Sequence, residues 1–316
     1  MPRATPPASE AQRVRDLLAR DEPIVMGGLH DGVSARLAEQ AGFPLAFMGG
    51  YAVAASLLGE PDIGLLTQAE MAEAARRLCR LVSMPVLVDA DTGYGGVPNA
   101  VRTAELYAQA GAAGLFLEDQ VWPKRCGHMG GKSVVERSEW LAKLRAVISF
   151  KASSDLFVVA RTDARAPLGI EEAIHRGRAA YDAGADAIFI EAPQSVAELD
   201  AIARAIPGPK IANMVEWGKT PMLSPADLHA RGFDLILFPV TAILAQARAV
   251  RDAYATLIRK GGTTGILQDL YPFAEFNDLV GLEEHRKREE ASITPGRRAR
   301  PALRAVPTAQ KKTPPK

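Results

Sequence analysis

Cysteine is scarce in this chain: Cys79 and Cys126 are the only two in 316 residues. Two thiols make no disulfide framework, and the count fits a reducing compartment. No secretory leader is expected either, since residues 1–7 lack a basic stretch followed by an apolar one. Nor is there a long apolar run. The nearest approach is residues 41–59, which are uncharged over 19 positions, close to the length of a membrane span. Gly42, Pro44, Gly49, Gly50 and Gly59 interrupt it, so it reads as turn, buried strand, turn and helix. A cytoplasmic protein without a membrane partner is expected.

An excess of either charge is also lacking, with 38 Lys and Arg against 37 Asp and Glu. The balance is uneven along the chain. Residues 296–316 hold Arg297, Arg298, Arg300, Arg304, Lys311, Lys312 and Lys316 and no acid. Taking these seven from the formal net charge of +1 leaves −6 for the rest. An acidic body is a poor match for a polyanion, so nucleic acid is not an expected partner. Residues 293–316 are expected to be a disordered basic tail. With 47% hydrophobic and 24% charged residues, the remainder has the make-up of a folded protein. Its length suits either two domains or one large α/β unit.

Short apolar runs at 24–26, 45–48, 86–88, 114–117, 157–160, 187–190, 210–212 and 235–238 read as strands covered on both faces. Amphipathic stretches lie between them, at 67–82, 98–110, 136–150, 170–183, 196–205 and 242–260. The order is βα, eight times over. Gly42, Gly111, Gly184 and Gly232 each stand where a helix ends shortly before a strand, the position at which a left-handed residue is wanted. Eight such units close into a (β/α)8 barrel or spread into an open doubly wound sheet. The polar residues favour the barrel. Asp89 and Asp91, Glu118 and Asp119, Arg161 and Asp163, Glu191, and Asn213 all fall at strand C-termini, and the ends of five successive strands converge only at a barrel mouth. Residues 1–20 then form an N-terminal extension, 21–262 the barrel, and 263–292 a helical segment with Tyr271, Phe273 and Phe276 spaced for docking.

Several constellations could carry chemistry. Asp89 and Asp91, two apart at a strand end, share one face of the pleat and both aim into the mouth. With Glu118 and Asp62 they make an all-oxygen site of the kind that takes Mg2+ or Mn2+. Residues 120–135 are polar, glycine-rich and long for a βα connection, as a gating loop is. Within them Lys124, Arg125 and His128 surround Cys126, which should lower the thiol pKa toward neutrality and suit it to proton exchange with substrate. Cys79, on an amphipathic helix, reads as core. Gly131, Lys132 and Ser133 end like a phosphate-binding loop, but the required first glycine is Cys126, so nucleotide binding is not expected. Arg161 places a permanent forked cation at the mouth, suited to a substrate carboxylate, or simply paired with Asp163. Glu191 and Asn213 could add hydrogen bonds.

Residues 88–95, 118–120, 124–128, 160–164 and 213–221 together resemble the isocitrate lyase and phosphoenolpyruvate mutase superfamily. The likeness runs from about residue 24 to about 282. The Lys124-to-His128 run resembles the lyase-like branches, which include 2-methylisocitrate lyase, 2,3-dimethylmalate lyase and carboxyphosphonoenolpyruvate phosphonomutase-like proteins. The resemblance implies a TIM-like barrel whose C-terminal helix is swapped with a partner, in a homotetramer. It implies Mg2+ (or Mn2+) held by Asp62, Asp89, Asp91 and Glu118, with Cys126, His128, Arg161 and Glu191 catalytic. Gly49, Gly50, Tyr51, Lys124, Arg125, Asn213 and Thr241 would bind the substrate. The family usually has a hydroxyl residue, glycine, and then glycine or serine after the second strand; Gly49, Gly50 and Tyr51 lack that hydroxyl.

The activity implied is Mg2+-dependent cleavage of a small 2-hydroxy di- or tricarboxylate to a 2-oxo acid such as pyruvate. Phosphorus–carbon mutase chemistry and a non-catalytic carboxylate-binding barrel are the alternatives. Cys126 favours the lyase, because a phosphoryl migration within one substrate needs no carbanion protonation.

Overall fold

A computed structural model describes residues 8–293; the expected basic tail, from residue 294 on, lies outside the described residues. The eight strands are β1 Ile24–Leu29, β2 Leu45–Met48, β3 Val86–Asp89, β4 Gly114–Glu118, β5 Phe157–Thr162, β6 Ala187–Ile190, β7 Lys210–Asn213 and β8 Leu235–Phe238. All neighbours are parallel, and β1 also pairs with β8, with Ile24 opposite Leu235. That last pairing closes the sheet into a (β/α)8 barrel and removes the open-sheet alternative. Five strands, β1, β3, β4, β5 and β7, run past the apolar stretches, four of them into polar residues, because ladder bonds need only the backbone.

The helices are α1 Glu10–Leu18, α2 Gly32–Gln40, α3 Gly50–Leu57, α4 Gln68–Cys79, α5 Val97–Ala110, α6 Arg137–Ser154, α7 Arg165–Leu168, α8 Ile170–Asp182, α9 Val196–Ala205, α10 Pro225–Ala230 and α11 Thr241–Lys260. Thr67 starts α4 with a capping box to Glu70, each side chain bonded to the other's backbone. Gly111 ends α5 at φ +88°, and Gly42, Gly184 and Gly232 also have positive φ, as their places in the sequence require.

Two apolar layers follow from strand alternation. One set of residues faces outward onto the helices, including Leu115, Val158, Ile188 and Ile236; Cys79 is half-buried against this layer. The other set fills the barrel: Ile24, Met26, Leu45, Phe47, Leu87, Phe116, Phe157, Val159, Phe189, Ile211, Leu235 and Leu237. Ala11 and Val14 of α1 belong to this inner cluster, and Arg15 of α1 pairs at 2.8 Å with Asp155, just before β5. Helix α1 thus plugs the barrel at its N-terminal end.

The chain divides after Asp269, where a short 3-10 turn (Thr264–Asp269) ends. The second unit holds α12 Phe273–Leu279 and α13 Leu282–Ile293. Tyr271 and Phe276 meet edge to face at 6.2 Å, and Phe273 is 82% exposed. Among the described residues no helix is long and apolar enough to cross a membrane.

Candidate active site

The inward-facing set continues, two residues on, into polar side chains. Leu87 is followed by Asp89, Phe116 by Glu118, Val159 by Arg161, Phe189 by Glu191 and Ile211 by Asn213. Five strands therefore deliver buried polar groups to one mouth over an aromatic floor. In that floor Phe116 meets Phe47 at 4.6 Å and Phe189 at 5.8 Å, and the Arg161 guanidinium lies 5.4 Å above the Phe189 ring. The opposite parity sends Asp119 to the outside. There it accepts bonds from the Thr162 hydroxyl, from Asp163 N–H at 2.8 Å and from Arg176 at 3.0 Å.

Asp91 departs from the expected pleat. The strand stops at Asp89 and Asp91 has φ +45°, so the alternation that would put both side chains on one face is broken. The two carboxylates still stay close: a side chain on Gly50 would lie 3.4 Å from Asp89 Oδ2 and 3.5 Å from Asp91 Oδ1. Gly50 N–H donates to Asp89 Oδ2 at 3.2 Å.

Lys124, expected among the substrate-binding residues, turns into this acid cluster and does not line the cavity beneath the 120–135 loop. Its Nζ lies 2.6 Å from Asp62 Oδ1 and 2.6 Å from Asp91 Oδ1. Burial opposes the charge on Lys124, but Asp91, Asp62, Asp89 and Glu118 outweigh it and raise its pKa well above the usual value. One ammonium does not balance four acids. Burial lifts the Asp91 carboxyl to about 6 against the pull of Lys124, and lifts Glu118 well above the carboxylate range. Neither Glu118 oxygen has a hydrogen-bond partner, although Arg161 Nε is 3.2 Å from Oε2. Buried, under-neutralised and all-oxygen, the set fits a hard divalent cation. Among the described residues no three acid, thiol or imidazole groups form a direct ligand cluster. A cation here would keep much of its water, as Mg2+ does.

The 120–135 loop lies folded over the mouth. Gln120 bridges to Val134, Val121 N–H donates to Ser133, and Cys126 N–H donates to the Asp62 carbonyl at 3.2 Å. Gly127 packs so closely on Glu191 that an added side chain would sit 2.4 Å from Oε2. Lys219 N–H donates to His128 Nδ1 at 3.0 Å, which leaves the ring proton on Nε2, 3.2 Å from Glu191 Oε1. Burial works against an ionised Glu191, but Arg161, His128 and Lys132 prevail and hold its carboxyl below the usual range. Arg161 is likewise kept charged despite burial by Asp163, Glu118 and Glu191; the expected pairing with Asp163 is present at 2.9 Å.

A cavity of about 270 Å³, open on one side, lies beneath the loop. Gly49, Gly50, Tyr51, Asp62, Asp89, Cys126, His128, Arg161, Glu191 and Asn213 line it, so ten of the expected site residues come together. Arg125 and Thr241 do not. Arg125 is exposed and reaches back to the Gly130 carbonyl at 3.4 Å, while Thr241 is exposed at the start of α11 and donates to Glu216. Met129, Val215, Glu216 and Trp217 also line the cavity without having been singled out as site residues. The last three fall in the 213–221 stretch that carries the family resemblance, and Met129 only follows His128.

The thiol differs from expectation. Burial pushes Cys126 up to about 11, and Asp62 and Glu191 add to the rise against a His128 N–H and Arg161. The reason is geometric: Lys124 and Arg125, its neighbours in sequence, both point elsewhere. Cys126 is therefore a protonated thiol at neutral pH.

The site is a carboxylate-rich barrel mouth beneath a folded loop, with a forked cation over an aromatic floor. The chain belongs to the phosphoenolpyruvate phosphomutase family, whose model matches residues 14–258. It is 42% identical over 284 residues to 2,3-dimethylmalate lyase of Eubacterium barkeri, covering 90% of this chain and 98% of that one. It is 41% identical over 275 residues to 2-methylisocitrate lyase of Bacillus subtilis (strain 168), covering 87% and 90%. Among solved structures, a 2,3-dimethylmalate lyase of the PEP mutase/isocitrate lyase superfamily superposes with TM-score 0.86 at 38% identity, covering 91% of this chain and 96% of that chain. Phosphonopyruvate hydrolase in complex with oxalate and Mg2+ does so with TM-score 0.82 at 30% identity, covering 91% and 100%.

Proposed function

We propose that this isocitrate lyase-like enzyme cleaves a carbon–carbon bond in a small 2-hydroxy di- or tricarboxylate of the dimethylmalate or methylisocitrate kind. The products are a 2-oxo acid such as pyruvate and a second carboxylate. The observation that carries the reading is the Cys126 thiol lining the same cavity as Arg161, with its pKa pushed up by burial. A carbon–carbon lyase must return a proton to carbon, and a thiol held in its acid form is suited to that.

Asp62, Asp89, Asp91 and Glu118 would hold Mg2+ or Mn2+, directly or through water. Bound there, the cation would acidify the substrate hydroxyl and stabilise enolate charge. Arg161 takes a substrate carboxylate with its fork and offsets the charge that grows there. Glu191, too weak a base to take a proton, fixes His128 and Arg161, and Asn213 adds a donor to the same wall. The hydroxyl proton passes to a carboxylate of the acid cluster, where burial raises the pKa values of Asp91 and Glu118. When the bond breaks, its electron pair stays on the carbon of the departing carboxylate fragment, and the Cys126 proton goes to that carbon. The proton taken by the cluster restores the thiol before the next turnover. The folded loop keeps bulk water from the carbanion. Gly49 stands where the family has a hydroxyl, Gly50 N–H is already committed to Asp89, and the Tyr51 ring narrows the cavity.

Exposed Tyr271, Phe273 and Phe276 support a second part of the reading: residues 263–292 dock on another subunit in a homotetramer. Light scattering during gel filtration tests it, and a monomer would defeat it. The activity is tested by 2-oxo acid release from a panel of 2-alkyl malates and citrates, with Mg2+ and with excess chelator. Chelator-sensitive release from one member is the expected result. No release from any member, or a phosphonate product from a phosphoenolpyruvate-like substrate, would reject it.

A further inference from the structure

Lys132 belongs to a surface loop, yet its side chain is only 1% exposed. A buried ammonium is unfavourable unless charge and hydrogen bonds compensate it. Two groups do so. Its Nζ donates to the Gly127 carbonyl, in the middle of the same loop, and to Asp163 Oδ1 at 2.6 Å, at the end of β5. One side chain thus ties the loop segment that carries Cys126 and His128 to the barrel wall.

Asp163 has a second cation. Arg161 donates to it through Nε at 2.9 Å and Nη2 at 3.4 Å, while also facing Glu118 at 3.2 Å and Glu191 at 3.4 Å. A single guanidinium stands among three buried carboxylates. Lys132 supplies the second positive charge, and it comes from the loop.

We infer that Lys132 is a positioning residue that couples loop closure to the availability of Arg161. With the loop down, Lys132 shares the Asp163 charge, so the Arg161–Asp163 pair, at 2.9 Å through Nε and only 3.4 Å through Nη2, is weakened and the guanidinium yields more readily to a substrate carboxylate. With the loop up, Asp163 has only Arg161, and the fork is drawn to it. The lid then controls more than water access, because its closure completes the anion-binding site. This rests on reading the mouth as a carboxylate site, not on which bond is cleaved.

The test uses the full chain with Mg2+, oxalate as a dianionic probe, and two readouts that need no turnover. Lys132→Met is expected to weaken oxalate binding in calorimetry by 10- to 100-fold and to speed trypsin cleavage after Arg125 several-fold. Adding Asp163→Asn to Lys132→Met removes the competitor for Arg161, so oxalate affinity should recover to within about threefold while the loop stays cleavable. Lys132→Gln keeps a donor for the Gly127 carbonyl without the charge, and serves if Lys132→Met does not give the wild-type circular dichroism spectrum. It should weaken oxalate with less effect on cleavage. Wild-type affinity and wild-type proteolysis in both single variants would overturn the inference, as would a double variant no better than Lys132→Met. If the parent protein bound no oxalate, the carboxylate reading would fail, and unchanged proteolysis in Lys132→Met would still defeat the latch. Correct oxalate and proteolysis results without any carbon–carbon cleavage would reject only the lyase activity.

Discussion

Lys124 Nζ sits 2.6 Å from Asp62 and 2.6 Å from Asp91, so an ammonium from the loop stands at the centre of the acids that would bind a cation. The two positive charges compete for the same oxygens. Lys124→Met should therefore strengthen binding of Mn2+ alone by about tenfold, the scale of one charge at such a distance in a partly screened site. It should lower cleavage at least 100-fold, because the cluster and the loop it pins lose their registry. Titration followed by Mn2+ paramagnetic resonance reads the first effect. Weaker metal binding in the variant would show that Lys124 supports the cation site and does not compete with it.

Cys126 is pushed up to about 11, and the sign of the effect follows from its role. A proton donor works in its protonated form, so a raised pKa moves the descending limb of the pH profile upward. The thiol should cause no loss of cleavage between pH 7 and about 10. Iodoacetamide labelling of Cys126, followed by mass spectrometry, should rise about tenfold per pH unit through 8 to 10, since only the thiolate reacts. A plateau setting in by about pH 9 to 9.5 would mean an ordinary thiol and remove the basis for this assignment. Cys126→Ser, with a much weaker acid in the same space, should fold normally and lose about 10²- to 10⁴-fold in rate.

Gly127 and Glu191 set the tolerance of the closed loop. A methyl group on Gly127 would fall 2.4 Å from Glu191 Oε2, and that carboxylate is held by Arg161 and His128 and cannot swing away cheaply. Gly127→Ala should leave thermal unfolding unchanged, because the clash exists only with the loop down. It should reduce kcat/KM at least 100-fold and expose Arg125 to trypsin. An active, protected variant would show that the loop closes in some other way.

The barrel and most of its mouth were legible in the sequence because both follow from one alternation. Once Phe116 and Phe189 are taken as inward, Glu118 and Glu191 must be inward too, and apolar runs give the strand count directly. What alternation does not govern was not legible. Asp91 lies past the strand end in a left-handed turn, so two-residue spacing misled. The loop has no period at all. Nothing in a Lys-Arg-Cys-Gly-His run says that Lys124 turns into the acids while Arg125 turns to solvent, and the thiol pKa moved up instead of down for that reason. Thr241 failed differently: one residue into a helix start, its side chain met Glu216 and not the cavity.

Asp119 shows the cost of the opposite parity and gives the stability prediction. It is fully buried outside the barrel mouth, where Arg176 reaches it at 3.0 Å and also donates to the Val135 carbonyl at 2.8 Å, at the end of the loop. Asp119→Ala leaves the buried Arg176 with only Glu172 as a charge partner and strips Thr162 and Asp163 N–H of their acceptor. A loss of about 3–5 kcal/mol in urea unfolding is expected, the scale for breaking a buried pair from one side. Burial, with Asp163 nearby, raises the Asp119 carboxyl to about 6 in spite of those donors. The folded state therefore retains this proton between about pH 4 and 6 while the unfolded chain gives it up, so ionising Asp119 costs stability as pH rises through that window. Asp119→Asn should flatten the stability profile between pH 4 and 6. A variant whose profile kept the parent's slope there would show that other carboxyls, with Glu118 and Asp91 the first to examine, set the pH dependence.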